Sequence, residues 1–460
     1  MIKIMKYGQV PASEIFDRGT AADDVSGIVR DIIKDVSENG DTALKKYCAK
    51  FDGFDQLMPL EVSADEWALA MEAVDKDLIS VMEKAAANIR AFHSRQVRNS
   101  FVISETDGIV MGQKVVPLDK VGLYVPGGTA SYPSSVLMNA IPAKIAGVKE
   151  IVMVTPSRGG SINPVILAAA KVAGIDRVFK IGGAQAVAAL AYGTATVPRV
   201  DKIVGPGNAF VAEAKKQVFG MVAIDMIAGP SEILVLADGT CNPAFVAADM
   251  LSQAEHDKMA SAVLVTDSMK LAQAVADEIE KQLRTLPRRD IAEASIENNG
   301  KIIVTDDLKS AIDVVNEIAP EHLEICVDSP FDYLGSIRHA GSVFLGKNCP
   351  EALGDYFAGP NHTLPTGGTA RFSSPLSVDD FVKKYQYTYY TADALAQVAG
   401  DIAAFAKAEG LEAHARSVTV RAEAMGLNAG SGRETAAGKG DSPDPDAGRR
   451  DSTCPSPKEK

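Results

Sequence analysis

The sequence predicts an α/β protein with parallel sheets, and three observations support this fold class. The chain has 460 residues, more than one hydrophobic core usually organises, so we expect roughly two or three domains. From Lys120 onward, short β-rich runs alternate with helix-like stretches. Glycine-rich turns directly follow three of these runs. This alternation is typical of βαβ units, which build parallel sheets.

The individual elements follow from periodicity. Asp23 to Arg95 is predicted to be helical, because apolar residues recur there at helical spacing. The strands predicted next form two blocks, Val121–Val125, Glu150–Val154, Arg177–Ile181 and Lys202–Val204, then Glu232–Leu236, Ala262–Thr266, Lys301–Thr305, His322–Val327 and Ser342–Leu345. The helices predicted between them include Ser134–Ala146, Asn163–Ala173, Lys270–Arg284 and Asp307–Ile318. Two similar α/β layers are therefore expected.

The end of the chain divides into two parts. After Asp379 the sequence predicts helix through about Gly426. From Asn428 to Lys460 the residues are mainly Gly, Ser, Pro, Asp and Lys, with almost nothing apolar. Burial there could not offset the entropy lost on ordering, so we predict a disordered tail or an added extension.

Composition excludes several classes of protein. The formal charge is −13 with no basic stripe, which argues against a nucleic-acid partner. The first 17 residues lack a signal-peptide core, and no run reaches the roughly 20 apolar residues of a membrane span. Five scattered cysteines without a C-x-x-C pair argue against disulfides or a thiolate zinc site. We therefore expect a cytoplasmic protein that binds neither nucleic acid nor membranes.

A first group of polar residues could bind a metal ion. Gln253 and His256 are three residues apart at a predicted helix end, which places them on one face. Asp355 and His414 add a carboxylate and a second imidazole. Nitrogen and oxygen ligands suit zinc, with manganese or cobalt as substitutes. The alternative is that these residues are helix surface and caps, and spacing alone leaves it open.

A second group could transfer protons. Glu321 and His322 stand where a loop enters a predicted strand, and the loop can bring both side chains to one side. Histidine titrates in the range that a general base needs, and a neighbouring carboxylate can hold it or activate water. Exposed surface charge is the alternative, and it stays open here.

Three glycine clusters could approach a nucleotide. They begin at Gly127, Gly182 and Gly205, each just after a predicted strand, where ligands of open α/β sheets bind. No cluster completes the G-x-G-x-x-G fingerprint of dinucleotide sites. Tight turns would explain the glycines equally well.

Taken together, seven motifs resemble the histidinol dehydrogenase family. The motifs, in chain order, are VGLYVPGG from Val121, GGAQA from Gly182, GPGNAF from Gly205, AGPSE from Ala228, SQAEH from Ser252, PEHL from Pro320 and AGPNH from Ala358. The likeness runs from about Asp23 to Ala424. Seven motifs in the family's order are far more specific than any one of them.

The resemblance implies two incomplete Rossmann-like domains with parallel sheets plus small helical terminal domains, in an intertwined homodimer. The domains it implies are an N-terminal segment (1–22), a first Rossmann-like domain (23–112 with 233–378), a second one for the cofactor (113–232), a C-terminal helical domain (379–427) and the tail (428–460). The C-terminal helices would complete the partner's site.

By the same resemblance, each residue of the site receives a role. One zinc ion per subunit would be held by Gln253, His256 and Asp355 of one chain and by His414 of the other. Substrate contacts beyond those ligands would come from Ser231, His322, His362 and Glu409, and NAD contacts from Tyr124, Gln185 and Asn208. The three NAD residues lie at the glycine-rich strand ends already identified.

The reaction implied is oxidation of L-histidinol, through L-histidinaldehyde, to L-histidine by NAD. Zinc would gather the substrate's nitrogen atoms and so orient the carbinol carbon. His322 would take the alcohol proton, and Glu321 would activate the water that attacks the aldehyde. Cys326 is expected to be a buried structural thiol instead of a covalent nucleophile.

Two alternatives to this function can be stated. A relative on the same scaffold could oxidise another small polyol, such as a sulfonated propanediol, but an anionic substrate would call for an added Arg or Lys. Glu409 and His362 suit a cationic amine and an imidazole instead. The second alternative is a non-catalytic metal-binding homologue, yet every expected ligand and both catalytic groups are present.

Overall fold

The computed structural model describes residues 2–17, 24–127 and 132–426. The predicted tail at 428–460, and Gly128 of the first glycine cluster, lie outside these ranges. The chain divides into one unit within Met1–Ser100 and Lys114–Tyr385 and another within Phe101–Gln113 and Gln386–Lys460. Within the described ranges, none of the helices combines the length and the apolarity that crossing a membrane requires.

The strands form parallel and antiparallel sheets. Their bounds are β1 Lys3–Lys6, β2 Phe101–Ile103, β3 Ile109–Pro117, β4 Lys120–Tyr124, β5 Glu150–Thr155, β6 Arg177–Lys180, β7 Lys202–Val204, β8 Ala223–Ile224, β9 Glu232–Ala237, β10 Ser261–Thr266, β11 Lys301–Val304, β12 His322–Cys326, β13 Ser342–Leu345 and β14 Val382–Tyr390. Every strand predicted from the sequence is present, with ends that differ by no more than a residue or so.

Helices alternate with these strands as expected. Their bounds are α1 Ala12–Ile15, α2 Ser26–Asp52, α3 Ala64–Ala73, α4 Lys76–His93, α5 Pro133–Ala146, α6 Pro164–Ala173, α7 Gly183–Tyr192, α8 Ala209–Val218, α9 Pro243–Ala254, α10 Met269–Leu283, α11 Arg289–Asn299, α12 Leu308–Ile318, α13 Phe331–Leu334, α14 Glu351–Tyr356, α15 Ala392–Ala408 and α16 Glu412–Ala424. Side-chain caps fix several starts, and Asn208 and Asn242 each accept a backbone N–H of the helix that follows.

A five-stranded parallel sheet has the order β6-β5-β4-β7-β8. The strand order changes direction between the adjacent strands β4 and β7. Open α/β sheets bind ligands in the crevice at such a point. The apolar face of α2 packs on this sheet, with Val29 and Leu44 in one core cluster with Val152 and Phe179. Helix α2 thus packs on the five-stranded sheet, and the grouping of residues 23–112 with 233–378 that the family resemblance implies stays a prediction.

A six-stranded parallel sheet has the order β1-β11-β10-β9-β12-β13. Its two faces are covered by separate apolar clusters, one containing Val235 and Leu264 and the other Leu234 and Ile325. The N-terminal strand β1 closes one edge by pairing with β11, so that Lys3 lies opposite Lys301. The expected α/β fold with two parallel sheets is therefore confirmed.

One prediction was wrong: the chain after Asp379 is not helical throughout. Val382–Tyr390 forms β14, which lies beside β3 in a three-stranded sheet, while β2 pairs with β3 in antiparallel fashion. Its sequence VKKYQYTYY contains four tyrosines, one threonine and one valine, residues that favour strands. Helix begins only at Ala392, where Thr391 caps α15.

Candidate functional site

The acid and the imidazole predicted to transfer protons meet at the amino end of β12. Glu321 Oε2 accepts the backbone N–H of Glu232 at 2.8 Å, and His322 Nδ1 donates to the carbonyl of Glu232 at 3.0 Å. His322 Nδ1 also lies 3.6 Å from Glu321 Oε2. The start of β9 therefore holds both side chains together and fixes the proton of His322 on Nδ1, which leaves Nε2 to exchange a proton.

His322 Nε2 is buried and faces two carboxylates. Glu351 Oε1 and Asp355 Oδ1 each lie 3.8 Å from it. Among the described residues, neither His322 Nε2 nor Glu351 Oε1 has a hydrogen-bond partner. Since buried polar atoms are nearly always satisfied, these two mark a place for a ligand atom. His322, Glu351 and Asp355 also form a group whose potential ligand atoms lie within 4.8 Å of one another.

His362 orients Asp355 from the other side. Its Nδ1 donates to the backbone oxygen of Asp355 at 3.1 Å and lies 3.5 Å from Asp355 Oδ1. The second ring nitrogen lies 3.3 Å from the hydroxyl of Ser135 on α5. The family resemblance gave His362 a substrate contact, and the structure places it against the same carboxylate that His322 faces.

Gln253 and His256 lie where α9 ends, before β10 begins. Gln253 is 1% exposed, and among the described residues both atoms of its amide lack a hydrogen-bond partner. The pKa of His256 is lowered by burial, and the charges of Asp355 and His322 act on it in opposite directions. Ser231 precedes β9 and is partly buried. Gln253, His256 and Ser231 thus lie at the amino edge of the six-stranded sheet, where Glu321 and His322 also stand.

Charges at this edge shift several pKa values. Burial raises the pKa of Glu321 to about 7 and that of Glu351 to about 8. Burial opposes protonation of His322, but the charges of Glu321, Asp355 and Glu351 outweigh it and raise the pKa of His322 to about 10. Burial also opposes ionisation of Asp355, yet the imidazoles of His322 and His362 close to its carboxylate hold its pKa below the usual value.

Further acids, which sequence reasoning missed, lie behind this cluster. Glu324 Oε1 accepts the backbone N–H of Glu351 at 2.6 Å, and Glu351 Oε2 accepts the hydroxyl of Ser252 at 3.1 Å. Burial raises the pKa of Glu324 to about 9, and nearby Asp249 adds to that rise. A glutamate within the apolar run of β12 is the one sequence feature that could have indicated a buried acid.

The residues expected to contact NAD lie at the carboxyl edge of the five-stranded sheet. Tyr124 ends β4, and its hydroxyl accepts the backbone N–H of Gly183 at 3.0 Å, where α7 begins. Gln185 in α7 is buried. Asn208 is exposed, and its side chain accepts the N–H groups of Phe210 and Val211 at the start of α8. Two helix N-termini therefore lie at this edge, an arrangement that favours anions.

A buried ion pair holds the turn that carries Asn208. Asp225 Oδ2 accepts the N–H of Gly205 at 2.7 Å, and Lys215 Nζ donates to the carbonyl of Gly205 at 2.9 Å. Lys215 and Asp225 contact each other with almost no exposure. Gly205 has a φ of 111°, and a Cβ there would collide with the backbone oxygen of Tyr124. Only glycine fits this approach of β7 to β4.

Two predicted residues belong to the other unit. Glu409 caps the end of α15, and His414 lies in the first turn of α16. Both are exposed. The two helices pack against each other through residues such as Ala403 and Ala415.

A buried imidazole faced by carboxylates, in a fold that also brings two helix N-termini to the edge of a parallel sheet, is typical of an α/β enzyme. The family model described as "Histidinol dehydrogenase" matches residues 17–422. The chain therefore belongs to the histidinol dehydrogenase family, oxidoreductases that catalyse the final steps of histidine biosynthesis. The family expected from the seven sequence motifs is confirmed.

Individual relatives agree with this assignment. The chain is 59% identical over 396 residues to "Histidinol dehydrogenase" of Geobacillus kaustophilus (strain HTA426), covering 86% of this chain and 93% of the relative. It is 53% identical over 427 residues to the protein of the same name from Clostridium acetobutylicum, covering 92% and 99%. The crystal structure of histidinol dehydrogenase from Elizabethkingia anophelis matches with a TM-score of 0.86 and 40% identity, covering 92% and 99%.

Proposed function

We propose that this chain oxidises L-histidinol to L-histidine in two NAD-dependent steps, with L-histidinaldehyde held between them. The observation that carries the proposal is the buried group formed by Glu321 and His322 on the backbone of Glu232, with His322 Nε2 left without a partner among the described residues. An imidazole placed in this way can exchange a proton with a bound alcohol. A carboxylate beside it can activate water.

The residues at the amino edge fit a zinc ion. Gln253 is buried with both amide atoms unsatisfied among the described residues, which a metal bond to Oε1 would relieve. Gln253, His256 and Asp355 of one chain would supply three ligands, and His414 of the partner subunit the fourth, a nitrogen and oxygen set that suits zinc. When bound, the ion would orient the substrate's nitrogen atoms and offset the carboxylate charge that raises the pKa of His322.

In the first step, His322 would take the alcohol proton through Nε2, and NAD would supply the acceptor for the carbinol hydride. In the second step, Glu321 would accept a proton from water as the water oxygen adds to the aldehyde carbon. The hydrate anion so formed would become the carboxylic acid once a second NAD accepts its hydride. Burial places the pKa of Glu321 at about 7, so it can accept a proton near neutral pH. His362 positions Asp355 beside this reaction.

The cofactor and the assembly complete the proposal. NAD would lie against Tyr124, Gln185 and Asn208, with its pyrophosphate near the N-termini of α7 and α8. We propose a homodimer in which Glu409 and His414 serve the partner's site, since both are exposed here. Four cysteines in the described ranges are free thiols, which supports the cytoplasmic location expected from the sequence.

The test is an NADH assay with L-histidinol. We expect two NADH for each L-histidinol consumed, loss of turnover with a chelator, and recovery when zinc is added. A matched assay with a sulfonated propanediol should show no turnover, because no added cation stands among the predicted contacts. Turnover of that polyol in place of L-histidinol would replace this proposal with the paralogue alternative.

A further inference from the structure

The end of α2 carries a carboxylate that the proposed mechanism does not use. Asp52 is the last residue of α2, and Gly53 after it has a left-handed φ of 63°. Among the described residues, Asp52 Oδ2 is shielded from water and has no hydrogen-bond partner. A buried carboxylate oxygen left unpaired destabilises the fold, so its retention indicates a ligand that satisfies it.

Asp52 lies at the carboxyl edge of the five-stranded sheet. Its backbone oxygen accepts the N–H of Gly159 at 2.9 Å, which ties the end of α2 to the loop after β5. Burial raises the pKa of Tyr124 to about 12, and the charge of Asp52 adds to that rise, so the carboxylate is near the end of β4. Asp52 therefore stands beside the ends of two adjacent strands.

A second unsatisfied atom lies in the same loop. Ser157 is 3% exposed, and its hydroxyl has no hydrogen-bond partner among the described residues. Ser157 is two residues before Gly159, which contacts Asp52. An unsatisfied acceptor and an unsatisfied hydroxyl, supplied by two different elements, together indicate a polar ligand with hydroxyl groups.

The strand order of the five-stranded sheet points to the hydroxyl groups of a ribose as this ligand. In Rossmann-like sheets, an acid near the end of the second strand binds the adenosine ribose of the dinucleotide. Here β4 is the first strand and β5 the second, and residues 156–159 after β5 are Pro, Ser, Arg and Gly, with no acid. Asp52 supplies the missing carboxylate from a helix outside the βαβ unit.

We propose that Asp52, with Ser157, binds the adenosine-ribose hydroxyls of the dinucleotide and thereby selects NAD over NADP. This rests on the proposed function, because it assumes that NAD binds at this edge. A 2′-phosphate would place further negative charge against a partly buried carboxylate, and such like-charge contacts are strongly unfavourable. Asp52 thus determines specificity without touching the reacting atoms.

The experiment measures equilibrium binding by NADH and NADPH fluorescence at pH 8, where Asp52 is ionised. For the unmodified protein we expect NADPH to bind about 100-fold more weakly than NADH. Asp52→Asn keeps the shape and removes the charge, so NADH binding should weaken about tenfold and the gap between the two nucleotides should shrink to within about tenfold. Ser157→Ala should weaken both nucleotides by a similar, smaller factor.

Asp55→Asn is the matched control, because Asp55 is an exposed carboxylate three residues further along, and asparagine preserves its bond to the N–H of Leu57. It should leave both dissociation constants unchanged. If the unmodified protein binds NADH but Asp52→Asn keeps the same NADH preference, the role of Asp52 is wrong and the proposed function stands. If the unmodified protein binds neither nucleotide, the cofactor proposal itself fails.

Discussion

The candidate functional groups lie at the carboxyl edge of one parallel sheet and at the amino edge of the other, and the two sets of groups differ in kind. At the carboxyl edge of the five-stranded sheet, backbone N–H groups at the starts of α7 and α8 dominate. At the amino edge of the six-stranded sheet, where β9 and β12 begin and α9 ends, side-chain carboxylates and imidazoles dominate. Backbone dipoles suit binding of a phosphate-bearing cofactor, whereas titratable side chains suit proton transfer.

The comparison also shows what each edge requires from the rest of the fold. The carboxyl-edge turn is fixed by one buried ion pair, Lys215 with Asp225. The amino edge instead gathers like charges, and burial raises the pKa of both Glu321 and Glu351. Such a cluster is less favourable without a cation, so the amino edge should depend on metal far more strongly than the carboxyl edge.

The largest expected effect is the loss of zinc and turnover in a variant of the amino edge that still binds NADH. Asp355→Ala should remove bound zinc and lower turnover of L-histidinol more than about 100-fold, because even indirect metal contacts change affinity by 10–100-fold. NADH binding, measured by fluorescence, should stay within about twofold because Asp355 is not at the carboxyl edge. Asp332→Ala, at an exposed position of α13, is the control. Full turnover in a metal-free Asp355→Ala protein would contradict the zinc assignment.

The next effect is a rate loss that should be larger for oxidation of the aldehyde than for oxidation of the alcohol. Glu321→Gln removes the proposed base for water, so oxidation of supplied L-histidinaldehyde should fall by about 100-fold or more. Hydride transfer from L-histidinol, followed as the first NADH in single-turnover kinetics, should fall less. Glu280→Gln on the exposed side of α10 is the control. Equal losses in both half-reactions would refute the division of roles between Glu321 and His322.

A smaller effect tests whether the amino edge is completed by the partner. His256→Asn and His414→Asn chains, each inactive alone, are unfolded and refolded together. Random pairing makes half of the dimers mixed, and in each mixed dimer one site of the two has every ligand intact. About a quarter of wild-type activity should return if a symmetric interface exchanges α16. No recovery at any mixing ratio would place all ligands in one chain.

The smallest expected effect concerns Asp52 at the carboxyl edge. Burial raises its pKa from 3.8 to about 6, so the folded state holds the proton more tightly than the unfolded state. Asp52 therefore contributes most to the free energy of unfolding below about pH 4, where it is protonated, and this contribution is lost as pH rises through about 6. Above that, Asp52→Asn should gain about 1 kcal/mol in urea unfolding, after allowance for partial exposure. A gain that is equal at pH 4 and pH 8 would contradict this.

Much of the fold could be predicted because its strands are continuous apolar runs. β4, β5, β9 and β10 are buried on both faces, and such runs are visible without any partner. β14 was missed because almost all of its residues are exposed, so no apolar stripe marks it. Its strand conformation depends on pairing with β3, and pairing across more than 250 residues of chain leaves no local pattern.

The site was predictable only where residues stand together in a motif. Glu321 and His322 are adjacent, and the family motif names them. Glu351 and Asp249 are far from them in the sequence, and only the packing of α9 and α14 near β12 brings these acids together. An acid in the first turn of a short helix, such as Glu351, looks in sequence like an ordinary favourable helix charge.

The pairing of β1 with β11 has a consequence for how the chain is made on the ribosome. All strands of the five-stranded sheet lie between Lys120 and Ile224, so that sheet can assemble early. The first strand of the other sheet must wait, without its neighbour, until Lys301–Val304 has been synthesised. At about 5–20 residues per second this delay is roughly 15–60 s. A nascent chain can therefore have the carboxyl edge of its five-stranded sheet folded well before the amino edge of its six-stranded sheet exists, and a dinucleotide bound there, as proposed, would stabilise the half-made protein.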